Sequence, residues 1–101
     1  MNGRAKAILH FWFNETKHKE RFEKNEAFDE KIRVNFYKDY QKATNNEYDN
    51  WLNNANDCLA LIILLDQFSR NLFRNNPKAF TMDKKARQIA TEAIKKKYHE
   101  I

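Results

Sequence analysis

The segment Leu59–Arg74 decides the fold, and its sequence is LALIILLDQFSRNLFR. From Cys58 to Leu65 every side of two helical turns would be apolar, and such a helix has to be surrounded by other helices. A short apolar run is also compatible with a buried strand, because periodicity alone does not separate the two. Helical patterns on both sides, without a second strand-like run to pair with, favour a central helix in an all-α domain.

Polar side chains replace the apolar ones in the second half of this helix. They are spaced four residues apart, as Asp66 and Arg70, Gln67 and Asn71, and Arg70 and Arg74. Side chains at this spacing are neighbours on a helix surface, so the pattern predicts one connected polar ridge. The ridge should emerge at the C-terminal end of the buried helix, where arginines also complement the helix dipole.

These residues carry a family resemblance. The motif LLDQFSRNLFR (Leu64–Arg74), followed by Ala79–Asp83, resembles the signature of a mostly bacterial family called domain of unknown function 924. Upstream, Ile8–Phe13, Ala27–Asp29 and Trp51 fall in the family's order. The resemblance implies an uncharacterised, all-helical protein whose fold is similar to tetratricopeptide-type helical arrays.

The resemblance spans nearly the whole chain but only about the N-terminal half of a typical family domain. Family members usually continue with more helices and a second polar motif that contains His-Ser-Glu. Three positions depart from the family pattern: His10 stands where Asp is usual, Ser69 where Pro is usual, and Asn75–Asn76 where Gly is usual. Residues 1–101 are therefore expected to form a single all-helical domain that is partial relative to the family.

Composition agrees with a small helical domain. The 101 residues include one glycine and one proline, which disfavours sheet-and-turn architectures. The net charge of +5 is uneven, with +2 over residues 1–33, −3 over 34–67 and +6 over 68–101. Cys58 is the single cysteine, so we expect a buried, free thiol in a reducing cytoplasm. No apolar run approaches the roughly 20 residues of a membrane helix, and no signal segment is visible, so we expect a soluble cytoplasmic protein without membrane contact.

Hydrophobic spacing predicts four antiparallel helices. The first covers Arg4–Asn14, and a charged, solvated connection follows over Thr16–Asn25. The second covers Ala27–Ala43, and Thr44–Asn46 ends it. Its predicted inward stripe consists of Phe28, Ile32, Phe36 and Tyr40, with Tyr37 beside it. Asp29 and Asp39 are predicted to lie off this stripe.

The last two helices have recognisable starts. Asn54 or Asn56 can cap the central helix, and Asn76 precedes Pro77 as a cap does at the start of a fourth helix that runs to about Tyr98. The inner face of that helix is predicted to comprise Ala79, Ala86, Ile89, Ala90, Ala93, Ile94 and Lys97, with Phe80 and Met82 near its start. One common core is expected to bury Trp12, Ile32, Phe36, Leu61, Leu64, Leu65, Phe68 and Ile89.

The polar ridge is the candidate binding site, and it has two interpretations. It comprises Asp66, Gln67, Arg70, Asn71 and Arg74, joined by Asp83 from the fourth helix. An ion-pair network that closes the corner between two helices is the favoured interpretation, because such networks often imitate sites. The alternative is a small-anion or carboxylate site, with two arginine forks as donors and Asp66 as a base.

Motifs for chemistry are lacking, and the sequence leaves open whether the protein is an enzyme. His10, His18 and His99 are too scattered to bind a metal, and neither a metal nor a cofactor is predicted. His10 is expected to be a core histidine with one hydrogen bond; contact with the polar ridge is the alternative. The lysines of the fourth helix lie on its outer face and lack a nucleic-acid-binding motif, so nucleic acid is an unfavoured partner.

The sequence therefore supports two functional hypotheses of different classes. The favoured one is a non-enzymatic interaction or structural module, a shortened family member that covers its open apolar face by self-association or by binding a protein partner. The alternative is a protein or enzyme that binds a small anionic ligand at the polar ridge.

Overall fold

The computed structural model describes residues 3–15 and 26–97. Four helical rods form within these residues and no β-strand does, so the prediction of an all-α, four-helix fold is confirmed. The α-helices are α1 (Gly3–His10), α2 (Glu26–Thr44), α3 (Ala55–Ile63), α4 (Ser69–Leu72) and α5 (Asp83–Lys95). Two π-helical turns, the first π turn (Phe11–Glu15) and the second π turn (Leu64–Phe68), continue α1 and join α3 to α4. Short 3-10 helices cover Asp49–Asn53 and Pro77–Phe80.

The central rod consists of α3, the second π turn and α4, and α1, α2 and α5 all pack against it. Asn54 caps its start, as predicted, because its Oδ1 accepts hydrogen bonds from the backbone N–H groups of Asn56 (2.9 Å) and Asp57 (3.1 Å). The eight residues predicted for the common core are buried together in it. The helix prediction missed the second π turn, because the turn spans the junction between the apolar run and the polar ridge, where the apolar spacing that could mark a wider turn is lost.

Aromatic rings around Phe68 form the centre of the core. Its ring centroid lies 5.9 Å from that of Phe11, 5.8 Å from that of Trp12 and 5.1 Å from that of Phe36. Phe11 and Trp12 belong to the first π turn, while Phe68 ends the second one. The two π turns therefore meet at one aromatic cluster.

Helix α2 buries its predicted stripe against the central rod. It ends where expected, at a turn in which Asn46 adopts the left-handed conformation (φ 66°). The predicted outward placement of Asp29 and Asp39 is wrong, because both carboxylates are largely enclosed by partners from other helices. Beyond the turn, the rings of Tyr48 and Trp51 stack with centroids 4.0 Å apart and supply the expected contacts at the junction.

The fourth rod is shorter and more divided than predicted. Asn76 caps it through a 2.9 Å hydrogen bond from the Lys78 N–H, as expected. The 3-10 helix Pro77–Phe80 and a turn then precede α5. Ala79, Ala86 and Ile89 are buried as predicted for the inner face. Ile94 is largely exposed and Lys97 lies beyond the end of α5, so the predicted face is too long at its C-terminal end. Phe80, near the start of the rod, is also largely exposed.

Some predictions fall outside the described residues. They concern the connection Thr16–Asn25, His18, the C-terminal limit at Tyr98 and His99. Within residues 3–15 and 26–97, no helix combines the length and the apolar composition needed to cross a bilayer.

Candidate functional site

The predicted ridge residues fall into two clusters at the C-terminal end of the central rod. We call Asp66, Gln67, Arg70 and Asp83 the first polar cluster. Arg70 Nη1 lies 2.6 Å from Asp66 Oδ1, and Arg70 Nη2 lies 3.3 Å from Asp83 Oδ2, so one guanidinium bridges the second π turn and α5. Gln67 Nε2 donates to Asp66 Oδ2 at 2.6 Å. Both oxygens of Asp66 therefore already accept hydrogen bonds.

The second polar cluster consists of Asp29, Asn71 and Arg74. Arg74 binds Asp29 through two hydrogen bonds, from Nε to Oδ2 at 2.6 Å and from Nη2 to Oδ1 at 3.0 Å. Asn71 Nδ2 donates to the same Oδ1 at 2.9 Å. The hydrogen bond to Asp29 raises the pKa of the Arg74 guanidinium, although burial opposes the shift. This cluster ties α2 to the end of the central rod by a charged, two-point contact.

Sequence reasoning missed Asp29 as a member of this cluster, and it also missed Asp39. Asp39 is buried, accepts from Arg4 Nη2 at 2.6 Å and from the Tyr48 hydroxyl at 2.6 Å, and so joins α1, α2 and the following turn. Burial and then the bond to Asp39 raise the pKa of Tyr48. A signal was present, because both aspartates lie three or seven residues from Ile32 and Phe36 and thus share their helix face.

Asp83 leaves one polar atom unsatisfied. Its Oδ1 is buried and has no hydrogen-bond partner among the described residues. Asp83 lines a cavity of about 300 Å³ together with Asp66 and Arg70, and the apolar side of the cavity is formed by Ile62 and two alanines of α5. A buried acceptor without a donor costs free energy, so this position favours a ligand or side chain that supplies an N–H or O–H group.

A second, more apolar depression lies beside this cavity and shares two lining residues with it. It measures about 340 Å³ and includes Phe13, Leu59, Ile62 and Asp66, the last two of which also line the first cavity. Phe13 is 52% exposed and Leu59 41% exposed. We call the two depressions together the α3 groove: its apolar end lies at Phe13 and Leu59, and its polar end is the first polar cluster.

Comparison with known proteins identifies the family. Residues 8–101 match the family described as "Bacterial protein of unknown function (DUF924)". The chain belongs to this family. The chain is similar to the solved structure of a protein of unknown function from Agrobacterium tumefaciens. The two sequences are 36% identical, and the structures superpose with a TM-score of 0.90. The match covers 96% of this chain and 55% of that chain, so this chain spans little more than half of that protein's length. Comparison with curated proteins gives no significant match.

The DUF924 departures noted in the sequence have structural consequences. Ser69 is fully buried, and its Oγ lies 2.8 Å from the carbonyl oxygen of Asp66 and 2.9 Å from that of Ala79. The hydroxyl thereby ties the central rod to the 3-10 helix that precedes α5. Asn75 adopts a left-handed conformation with φ 62°, which a Gly at that position would adopt without strain.

His10 of this DUF924 chain is exposed, so the expectation of a core histidine is wrong. The adjacent Phe11 and Trp12 turn into the core, while His10 shares a 3.3 Å hydrogen bond with Asn14 on the outer side of the first π turn. An aromatic sequence neighbourhood therefore did not predict burial here. Among residues 3–15 and 26–97, no group of three His, Cys, Asp or Glu side chains is placed to hold a metal ion.

Proposed function

We propose that this DUF924-family chain is a non-enzymatic helical docking module whose α3 groove receives an amphipathic helix. One observation carries the proposal: the two depressions of the groove share Ile62 and Asp66, and together they are apolar at Phe13 and Leu59 and polar at the first polar cluster. An amphipathic helix that lays its apolar face into such a groove is a recurring recognition mode.

The length of the Agrobacterium relative supports a helix as the occupant. Nearly half of that protein lies outside the matched part. In tetratricopeptide-like arrays, each helical unit covers the apolar face of the unit before it. The proposal includes the same packing for this chain. We therefore assign the groove to a segment that the longer relative carries beyond the match, and we propose that this segment is helical.

The polar end of the groove defines the chemistry of that helix. The buried Asp83 Oδ1 lacks a donor within the described residues, and Asp66 contributes a second carboxylate beside it. A lysine, arginine or amide side chain at the matching end of the docked helix would satisfy this acceptor. The two π turns supply Phe13 and Asp66 to the groove, and π-helical turns are often found at functional sites.

The small-anion alternative at Asp66, Gln67, Arg70, Asn71, Arg74 and Asp83 is less well supported by this geometry. An anion would have to displace a carboxylate from Arg70 or Arg74, because each guanidinium already faces one at 2.6 Å. A structural role for both clusters is the simpler assignment. A cytoplasmic location completes the proposal, since Cys58 is a buried free thiol whose pKa is raised by burial.

Titration calorimetry tests the docking proposal. The probe is the part of the Agrobacterium protein beyond the match, produced separately and titrated into this chain. Leu59→Glu places a charge in the apolar half of the groove, so we expect it to weaken binding by about tenfold or more. Val34→Glu is the matched control, because Val34 is 68% exposed on α2 and lines no part of the groove.

Three results would contradict the proposal. They are the lack of heat on titration of the wild type, equal losses for Leu59→Glu and Val34→Glu, and a concentration-dependent mass in sedimentation that Leu59→Glu abolishes. The last result would assign the groove to a second copy of the chain. Thermal melting of both variants confirms that neither charge has unfolded the protein.

A further inference from the structure

A cleft on the other side of the molecule lies between the C-terminal half of α2 and the corner that links α4 to α5. It measures about 670 Å³, within the range of small-molecule sites. One wall carries Tyr37 and Tyr40 from α2, and the other carries Phe73 and Lys78. None of these four residues lines the α3 groove.

Positive charge converges on this cleft from both walls. Lys38 and Lys42 come from α2, Lys78 comes from the opposite wall, and Glu47 is the single acidic residue of the lining. No ion pair to any of the three lysines forms within the described residues. Lys42 also complements the C-terminal end of the α2 dipole, but Lys78 belongs to another segment and has no such role. The cleft thus has a net positive lining, and its three lysines form no ion pair within residues 3–15 and 26–97.

Aromatic rings form the surface beside these lysines. The ring centroids of Tyr40 and Phe73 are 5.5 Å apart with planes at 60°, and Lys78 Nζ lies 5.5 Å from the Phe73 centroid. Tyr37 lines the cleft and is more than a third exposed. Stacking of a ligand ring on exposed aromatic side chains is favourable and tolerates different ring types.

The Tyr40 hydroxyl adds an unused donor. It makes no hydrogen bond within the described residues, and it does not belong to their buried unsatisfied atoms, so the hydroxyl is open to solvent while most of the residue is buried. Burial, followed by the nearby Tyr37 and Asp83, raises the pKa of Tyr40. The phenol therefore keeps its proton at neutral pH and can donate to an oxyanion.

From this combination we infer that the cleft, which we call the lysine cleft, binds a small aromatic anion: a planar ring that carries a phosphate or carboxylate group. The ring stacks on the tyrosine wall, and the anionic group lies among Lys38, Lys42 and Lys78. The inference does not depend on the docking function, because the two surfaces share no residue.

Amide chemical-shift titrations test the inference with three probes: phenyl phosphate, benzoate and inorganic phosphate. We expect saturable shifts for at least one aromatic anion at amides of residues 37–47 and 78–82. Inorganic phosphate should bind at least about fivefold more weakly, because it lacks the ring that stacks. A response to phenyl phosphate alone identifies a phosphate site, and a response to benzoate alone identifies a carboxylate site.

Charge-reversal and ring-removal variants separate the two halves of the ligand. Lys42→Glu and Lys78→Glu should each weaken binding of the aromatic anion by about tenfold or more, because the charge at that position then repels the anion at short range. Lys95→Glu is the matched control, because Lys95 is exposed on α5 and does not line the cleft. Tyr37→Ala should make the affinity for phenyl phosphate equal to the affinity for inorganic phosphate, because the ring on which the ligand stacks is removed.

Several results would overturn the inference. One is the lack of saturable shifts up to about 10 mM probe, which corresponds to negligible affinity. Another is equal affinity for inorganic phosphate and phenyl phosphate. A third is an equal loss of affinity for Lys42→Glu and Lys95→Glu. Tight binding of a single-stranded oligonucleotide that Lys42→Glu and Lys95→Glu weaken equally would likewise indicate a diffuse basic surface instead of a cleft. Preserved amide dispersion in each variant shows that the fold is intact.

Discussion

The two polar clusters and the lysine cleft differ in whether their positively charged side chains are paired with carboxylates. In the clusters, Arg70 and Arg74 each lie 2.6 Å from a carboxylate oxygen, and their side chains are no more than 40% exposed. In the cleft, the three lysines have no carboxylate partner within the described residues. A cationic side chain that is already paired with a fixed carboxylate stabilises the fold. A cationic side chain that is only solvated remains available to bind a ligand.

The side-chain types suit this division. The guanidinium group is a planar fork that matches a carboxylate at two points, as Arg74 does with Asp29. The ammonium group of Lys42 or Lys78 is a flexible, strongly hydrated point charge that can follow an anion of varied shape. Charge alone would therefore not have separated the two regions, since residues 68–101 supply both arginines of the clusters and one lysine of the cleft.

The largest expected effect concerns the rod on which the clusters are fixed. Leu64 is fully buried in the second π turn, so Leu64→Ala should lower the free energy of unfolding by about 2–5 kcal/mol in denaturant titration. Leu59→Ala, at a position that is 41% exposed, should cost less than about 1 kcal/mol. If Leu64→Ala costs no more than Leu59→Ala, the clusters are not held by a packed rod and the comparison fails.

A smaller effect separates a paired cation from an unpaired one. Arg74→Met leaves Asp29, whose side chain is 16% exposed, with a charge that its guanidinium no longer balances, so we expect a loss of about 1–3 kcal/mol. Lys42→Met should change stability by less than about 0.5 kcal/mol, because Lys42 forms no ion pair within the described residues. Denaturant titration of both variants in parallel measures the difference, and equal values would remove the distinction between the two regions.

The smallest effect tests coupling inside the first polar cluster. Asp66 and Arg70 are 32% and 40% exposed, so solvent weakens their pair, and a double-mutant cycle should give a coupling of about 0.5–1 kcal/mol. The single changes are Asp66→Asn and Arg70→Met, measured at low and at high salt. Strict additivity would indicate that Arg70 acts through Asp83, its other partner at 3.3 Å.

Much of the fold could be predicted from local sequence. The apolar run predicts the buried rod, and Asn54 and Asn76 are caps that short-range hydrogen bonding makes recognisable. The aromatic stripe of α2 follows from its spacing. The limits lie where the local pattern is not informative. The second π turn spans the junction of the apolar run with the polar ridge, and Ile94 has the spacing of an inward residue but is 60% exposed.

Less of the site could be predicted. The ridge residues follow from their spacing, and the pair of Asp66 with Arg70 is local. The partner of Arg74 is Asp29, 45 residues earlier, and no helical spacing relates two residues so far apart. The α3 groove and the lysine cleft are likewise formed by residues from separate helices, so they appear only when the rods are packed.

The second π turn also determines how the central rod responds to a change in its length. A π-helical turn uses about one residue more than an α-helical turn for the same full rotation, whereas one residue of an α-helix corresponds to a rotation of about 100° around the axis. Deleting Leu65 would therefore let an α-helical turn close in place of the π turn, and Arg70 and Arg74 would keep nearly their present directions toward their carboxylates. A deletion within α3, which has no extra residue to release, would instead rotate the following segment by about 100° relative to the preceding one and separate the arginines from those carboxylates.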